Sequence, residues 1–158
     1  MNRSYRRLIF SLAERIALSL VKLNYKKTKL ADMKKIINTT QAPAPIGPYA
    51  QAVAAGGFLF ASGQIAIDPS SGQLITINII QETTQVMRNI GAVLAEAGMD
   101  YSHIVKTTIF LKDMEQFALV NDVYGNYFQS DFPARETVQV SRLPKDVNVE
   151  ISVIAFKG

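Results

Sequence analysis

Residues 78–111 read NIIQETTQVMRNIGAVLAEAGMDYSHIVKTTIFL, and this stretch decides the fold. Thr83, Val86, Met87, Ile90, Val93, Leu94 and Ala97 recur at helical spacing. Asn78 supplies an N-cap, with Gln81 three residues later, and Gly98 supplies the stop. The period then changes. Ile104–Leu111 is β-rich and apolar, as a buried strand should be. A long amphipathic helix followed by a buried strand predicts a sheet with helices laid on it.

The same reading extends downstream. Asp113 caps a second helix, with Phe117, Val120, Tyr124 and Phe128 on its inner face. Pro133 ends the loop that follows. Glu136–Ser141 and Val147–Phe156 are expected as strands around the turn Arg142-Leu143-Pro144-Lys145-Asp146. That turn is expected to fold the two strands into an antiparallel hairpin, with Val138 roughly opposite Glu150. Upstream, Lys34–Asn38 is a short strand candidate. Pro43, Pro45, Gly47 and Pro48 make residues 39–48 an extended loop. Ala50–Ala55 and Phe58–Ser62 flank Gly56-Gly57, which reads as a tight hairpin turn. Gly63 permits a bend or a close approach of the backbone, and Asp68-Pro69-Ser70-Ser71-Gly72 is a further turn. The order β-ββ-α-β-α-ββ predicts an α+β fold, with two helices covering one face of a mixed sheet. The other face carries apolar and small residues, which predicts oligomerisation.

The 158 residues fit one domain, and their 48% hydrophobic and 19% charged content excludes wholesale disorder. No cysteine is present, so disulfides, thiolate zinc sites and a cysteine nucleophile are excluded. His103 is the one histidine, which leaves little basis for a poly-His metal site or a His-activated nucleophile. The net charge of +4 is unevenly distributed. Residues 1–32 carry eight basic and two acidic side chains, whereas residues 33–158 carry nine basic and eleven acidic ones. The basic character belongs to the leader, and a nucleic-acid function for the main domain has no charge behind it.

In the leader, Leu8, Leu12, Ile16, Leu20 and Leu23 would form one apolar stripe on a helix. Glu14 and Arg15 interrupt the run, so a transmembrane span is not expected. A clear secretory signal is also lacking. Residues 1–32 are read as an organelle transit peptide, as a helix lying on a membrane surface, or as an extension upstream of a true start at Met33. The main domain is then 33–158. The expected location is cytoplasmic, or a mitochondrion or plastid if the leader is a transit peptide.

Among groups that carry chemistry, Glu150 stands out as a carboxylate in mid-strand. Val147, Val149, Ile151 and Val153 point one way, and Asn148, Glu150 and Ser152 the other. The expected hairpin brings Arg135 to within a few residues of Glu150. An Arg and a Glu at one sheet edge can grip a carboxylate and orient a water. A structural Arg–Glu ion pair is the plainer alternative. Tyr49, in Ile46-Gly47-Pro48-Tyr49, is either aimed at a pocket by a rigid turn or packed in the core. Asn121 is either a buried hydrogen-bonding group or an exposed one, and His103 is read as exposed or satisfied. No phosphate loop and no metal-ligand cluster is visible. Tyr124, Tyr127 and Phe128 read as helix core and not as a base-stacking platform.

Five blocks then stand in order. They are Ile46-Gly47-Pro48-Tyr49-Ala50-Gln51-Ala52, Ser62-Gly63-Gln64-Ile65, Phe132-Pro133-Ala134-Arg135, Arg142-Leu143-Pro144-Lys145-Asp146 and Val149-Glu150-Ile151. In these blocks the chain closely resembles the RidA family, also called the YjgF/UK family, over about residues 33–158. The resemblance implies a chorismate-mutase-like fold, with a mixed six-stranded sheet, assembled as a homotrimer around a central barrel. It implies active sites in clefts between subunits, and hydrolysis of 2-iminobutanoate, 2-iminopropanoate and their enamines to 2-oxo acids and ammonia. No metal and no cofactor is implied.

By the same resemblance Arg135 grips the substrate carboxylate and Glu150 orients or activates the hydrolytic water. Tyr49, Ser62, Gly63 and Asn121 line the cleft. Thr137 stands where many members have Cys, at a position whose backbone meets the ligand. Glu136 stands where small residues are common. Two other functions compete: a non-catalytic, ligand-binding regulatory trimer, and RNA cleavage or translation inhibition. An intact Arg135 argues against the first and the acidic balance of the domain against the second.

Overall fold

The structure, a computed structural model, describes residues 17–20 and 34–158. Residues 17–20 are helical, and Leu8, Leu12, Ile16 and Leu23 of the leader stripe lie outside the described residues. Residues Lys34–Gly158 form one compact unit. Among the described residues no helix is long and apolar enough to cross a membrane.

Six strands form one mixed sheet: β1 (Lys35–Ile37), β2 (Ala52–Ala55), β3 (Phe58–Gln64), β4 (Ile104–Leu111), β5 (Ala134–Gln139) and β6 (Val149–Phe156). Their spatial order is β1-β2-β3-β6-β4-β5. The β2–β3 hairpin turns through Gly56 and Gly57 at φ of 56° and 81°. Both central residues of a type I′ turn need a positive φ, which is why two glycines stand there.

Helix α1 (Ile79–Glu96) starts where the Asn78 side chain accepts from the Gln81 N–H at 2.9 Å. It ends at Gly98, with φ 70°. Its apolar stripe lies on β6 and β3 beside α2 (Phe117–Gly125). Val86, Met87, Ile90, Val93 and Leu94 meet Leu59, Ile109, Leu111, Val149, Ile151 and Ala155 there, in one continuous core. At about 25 cal/mol per Å² of apolar area, such burial is the main force holding the sheet to its helices.

The expected hairpin of the last two strands does not form. β4 runs between them, antiparallel to β6 and parallel to β5. Val138 and Glu150 are each opposite Phe110, on its two sides. β6 already uses both of its edges, pairing with β3 and β4, so β5 is left the outer edge of β4. The parallel β4–β5 connection runs through α2, as a crossover must.

The second face of the sheet is open. Phe58, Phe60 and Phe156 form an aromatic patch on it, with ring centroids 6.1 and 4.7 Å apart, and each ring is exposed. Ile36 and Val138 are exposed as well. Lys106 and Thr108 both bind the Glu136 carboxylate on this face.

Candidate functional site

Arg135 is the second residue of β5, just past Pro133. It is opposite the buried Thr107 in the parallel ladder, so it emerges on the helix side of the sheet, at its edge. Phe117, Asn121 and Tyr124 share one face of α2 by their spacing, and all three turn to it. The Arg135 Nη1 donates to Asn121 Oδ1 at 2.9 Å. Its Cζ lies 5.1 Å from the Tyr124 ring centroid and 5.7 Å from that of Phe117. Cation–π attraction and the single hydrogen bond fix the guanidinium without neutralising it. Among the described residues no carboxylate pairs with Arg135.

This guanidinium faces a cavity of about 380 Å³ lined by Asn121, Tyr124, Gly125, Phe132, Pro133 and Arg135. Tyr124 is anchored by its hydroxyl, which donates to Thr107 Oγ1 at 3.1 Å. Burial pushes the phenol above its ordinary pKa, so it stays neutral. A held, unpaired guanidinium with free N–H groups in an aromatic-walled cavity is suited to a small carboxylate.

Glu150 occupies a different place. It is opposite Phe110 on the open face, as the second residue of β6 and not in mid-strand as the sequence suggests. Gly63 lies beside it across the β3–β6 ladder. The register there shifts: Ala61 pairs with Val153 and Gln64 with Ile151, so β3 holds one extra residue in a bulge. A Cβ built on Gly63 would overlap Glu150 Oε1. The missing side chain is what gives the carboxylate its seat. No hydrogen bond from a described residue holds Glu150, and burial alone raises its pKa above the ordinary 4.5. Such a carboxylate is a better base than a solvated one.

Tyr49 and Ser62 border this second cluster. The Ser62 Oγ donates to Ala50 O at 2.7 Å, and the Ser62 N–H to Gln51 O at 2.9 Å, tying β3 to the segment after Tyr49. The Tyr49 ring is 49% exposed, and it lines a small cleft with Gly63 and Gln64. Its hydroxyl accepts from the Ile46 N–H at 3.3 Å, closing the Gly-Pro turn on itself. The proline-rich loop has a staple that the sequence reading missed. Buried Gln51 donates to the carbonyls of Thr39, Ala42 and Pro43, and its Oε1 accepts from the Thr39 N–H. Thr137 is two residues past Arg135 on the same face, and its Oγ1 is buried without a partner among the described residues.

The expected Arg135–Glu150 proximity therefore fails within one chain. Arg135 is in the Thr107 row and Glu150 in the Phe110 row, on opposite faces of the sheet. Their backbones are about 10 Å apart along the strands and about 10 Å across them. The structural ion pair, the plainer alternative for these two residues, is absent for the same reason. Asn121 resolves as a partner of Arg135. His103 resolves as the cap partner of Asp100, at 2.9 Å. Among the described residues no group of His, Cys, Asp and Glu could hold a metal ion.

Comparison with known proteins gives this geometry its relatives. The family described as Endoribonuclease L-PSP matches residues 39–157. A RutC family protein of Synechocystis is 57% identical over 126 residues, covering 77% of this chain and 95% of its own. The 2-iminobutanoate/2-iminopropanoate deaminase of Mus musculus is 47% identical over 126 residues, covering 80% of this chain and 93% of its own. A solved Rid-family protein of Yersinia pestis superposes with a TM-score of 0.77 at 50% identity, covering 79% of this chain and all of that one. The family match spans the five sequence blocks and strands β2 to β6, and the chain belongs to the Endoribonuclease L-PSP family, the RidA family that those blocks resemble.

Proposed function

We propose that this protein hydrolyses 2-imino acids, or their enamine tautomers, to 2-oxo acids and ammonia, with 2-iminobutanoate and 2-iminopropanoate as substrates. The observation that carries the reading is Arg135: held by Asn121 and two aromatic rings, unpaired, and facing a cavity. The 47% identity to a mouse protein named for this activity supports it.

In this reading the substrate carboxylate sits on the Arg135 fork, which fixes the imine carbon in space. Glu150 takes a proton from a water as that water adds to the carbon. The imine nitrogen enters protonated, so the adduct is a neutral carbinolamine; Glu150 returns its proton to that nitrogen, ammonia leaves as the C–N bond breaks, and the hydroxyl proton passes to solvent as the C=O bond forms. Tyr49, Ser62 and Gly63 border the water side of the cleft, and Asn121 and Thr137 the carboxylate side. Imines hydrolyse readily in water, so placement and one base suffice, and neither metal nor cofactor is needed in this scheme.

Arg135 and Glu150 occupy opposite faces in one chain, so one copy alone cannot apply both to one substrate. The reading therefore includes assembly of copies through the open apolar face, as a homotrimer in which Arg135 of one copy meets Glu150 of the next. The apolar patch of Phe58, Phe60 and Phe156 supports that assembly.

The test uses the full chain beside a threonine dehydratase, with semicarbazide present to trap free imine. Faster release of 2-oxobutanoate, lost in Arg135→Ala while the assembly persists, is the expected result. A folded assembly that gives no acceleration rejects the deaminase and leaves a ligand-binding trimer.

A further inference from the structure

The geometry points to Glu82, on α1, as a positioning residue for Glu150. This rests on the deaminase reading of Glu150 given above.

Glu82 is fully buried, in the first turn of α1. It stands between Ile79 and Val86 on the stripe that meets the sheet, where an apolar residue would cost far less to bury. Among the described residues it has no cationic partner. Both of its oxygens serve a single residue instead. Oε1 accepts from the Asn148 backbone N–H at 2.7 Å, and Oε2 from Asn148 Nδ2 at 2.8 Å. Asn148 immediately precedes β6, two residues before Glu150.

The chain reaching Asn148 is strained. Lys145 and Asp146 have φ of 54° and 60°, the left-handed region that non-glycine residues avoid. Such a conformation persists only where its surroundings over-determine it. Here the Asp146 N–H donates to Leu143 O at 3.0 Å, and Lys112 Nζ pairs with Asp146 Oδ2 at 3.0 Å. The Lys112 N–H also donates to Asn148 O at 3.0 Å. Asn148 is thus fixed through its N–H, its carbonyl and its side chain, from α1 on one side and the end of β4 on the other.

Among the described residues the Glu150 side chain has no such ties. Its carboxylate is located only by the backbone of β6 and by the empty space over Gly63. A small tilt of residues 148–149 drives that carboxylate into the β3 bulge or away from it. The β4–β6 ladder holds one side of this segment, and the Glu82–Asn148 clamp holds it from the helix side, so that the two together oppose the tilt.

The substitutions Glu82→Leu and Glu82→Gln separate positioning from mere stability. Glu82→Leu removes both acceptors. Glu82→Gln preserves both bonds, because the Asn148 amide can turn over and accept from the new side-chain amide. In the coupled assay, kcat is expected to fall on the order of 10-fold to 100-fold in Glu82→Leu, with KM within about twofold. Glu82→Gln is expected to stay within about threefold of the parent kcat. The 13C resonance of the Glu150 carboxyl, identified by its loss in Glu150→Gln, should move in Glu82→Leu and stay in Glu82→Gln. Asn148→Ala keeps the backbone bond and loses only the side-chain one. It should give a smaller fall in kcat with a moved resonance, and it serves if Glu82→Leu does not fold. A lowered melting temperature with parental kcat and an unmoved resonance overturns the inference and leaves the deaminase reading intact. A moved resonance in a protein that is inactive even as the parent supports the positioning and rejects the deaminase.

Discussion

The two halves of the site are built differently. Arg135 is tightly held: Asn121 bonds it, Tyr124 and Phe117 flank it, and Tyr124 is itself tied to Thr107. Among the described residues nothing holds Glu150 at its carboxylate, and it lies over a glycine on the open face. The first arrangement suits binding, because a fixed guanidinium loses little freedom when a carboxylate arrives. The second suits proton transfer, because an unpaired, partly desolvated carboxylate is more basic. The sheet separates the two. On the proposed deaminase reading, binding and chemistry are thus divided between faces, and a working site is assembled from two copies.

Breaking the binding half should cost most. Arg135→Ala removes the charge and the fork together, and kcat/KM is expected to fall on the order of 100-fold or more, mainly through KM. Saturation kinetics with purified assembly checks this. A fall confined to kcat would move Arg135 out of the binding half.

Breaking the reactive half should reverse the pattern. Glu150→Gln is expected to lower kcat on the order of 100-fold with KM nearly unchanged. The pKa of Glu150 is raised by burial, so the base is lost as pH falls through a value above the ordinary 4.5. The parent kcat/KM should therefore show an acidic limb above that value, and Glu150→Gln should flatten it. An acidic limb that survives the substitution would belong to another group.

Gly63→Ala sharpens the contrast. The added methyl displaces the Glu150 carboxylate, so kcat is expected to fall about 10-fold with KM retained. In the Glu150→Gln background the same change should add almost nothing, since the two act through one group. Additive losses in the double variant would give Gly63 a separate role. The smallest effect is expected from Asn121→Ala. It removes one charged hydrogen bond and leaves both aromatic contacts, so KM should rise about 5-fold, equivalent to about 1 kcal/mol. A kcat effect with constant KM would contradict its place in the binding half.

Much of this was legible in the sequence. The period of α1, its Asn78 cap and the apolar run of β4 follow from local rules that tertiary structure did not override. Gly56-Gly57 turned as its φ demands required. The β5–β6 hairpin failed because adjacency in sequence is a weak guide once both edges of β6 are taken. A signal existed in β6 itself. Val149, Ile151, Val153 and Ala155 are too buried a row for a strand beside an edge, whereas Glu136 and Gln139 mark β5 as the edge.

Arg135, Asn121, Gly63 and Glu150 were singled out from residue type and motif. Their division between two faces was not, because it depends on which strand lies between them. By spacing alone Phe117 and Tyr124 read as core. A ring that packs the core and a ring that flanks a guanidinium have the same spacing, and the difference appears only when β5 is placed. Glu82 could have been noticed as a carboxylate within an apolar stripe.

Subunit mixing tests the central claim most directly. Arg135→Ala and Glu150→Gln proteins, each with on the order of 1% of the parent activity at substrate below KM, are unfolded together in equal amounts, refolded into mixed assemblies and assayed at that substrate level. If each site takes Arg135 from one copy and Glu150 from its neighbour, random mixing leaves about one site in four intact, and about a quarter of the parent activity returns. If both groups act from the same chain, every site stays broken and no activity returns.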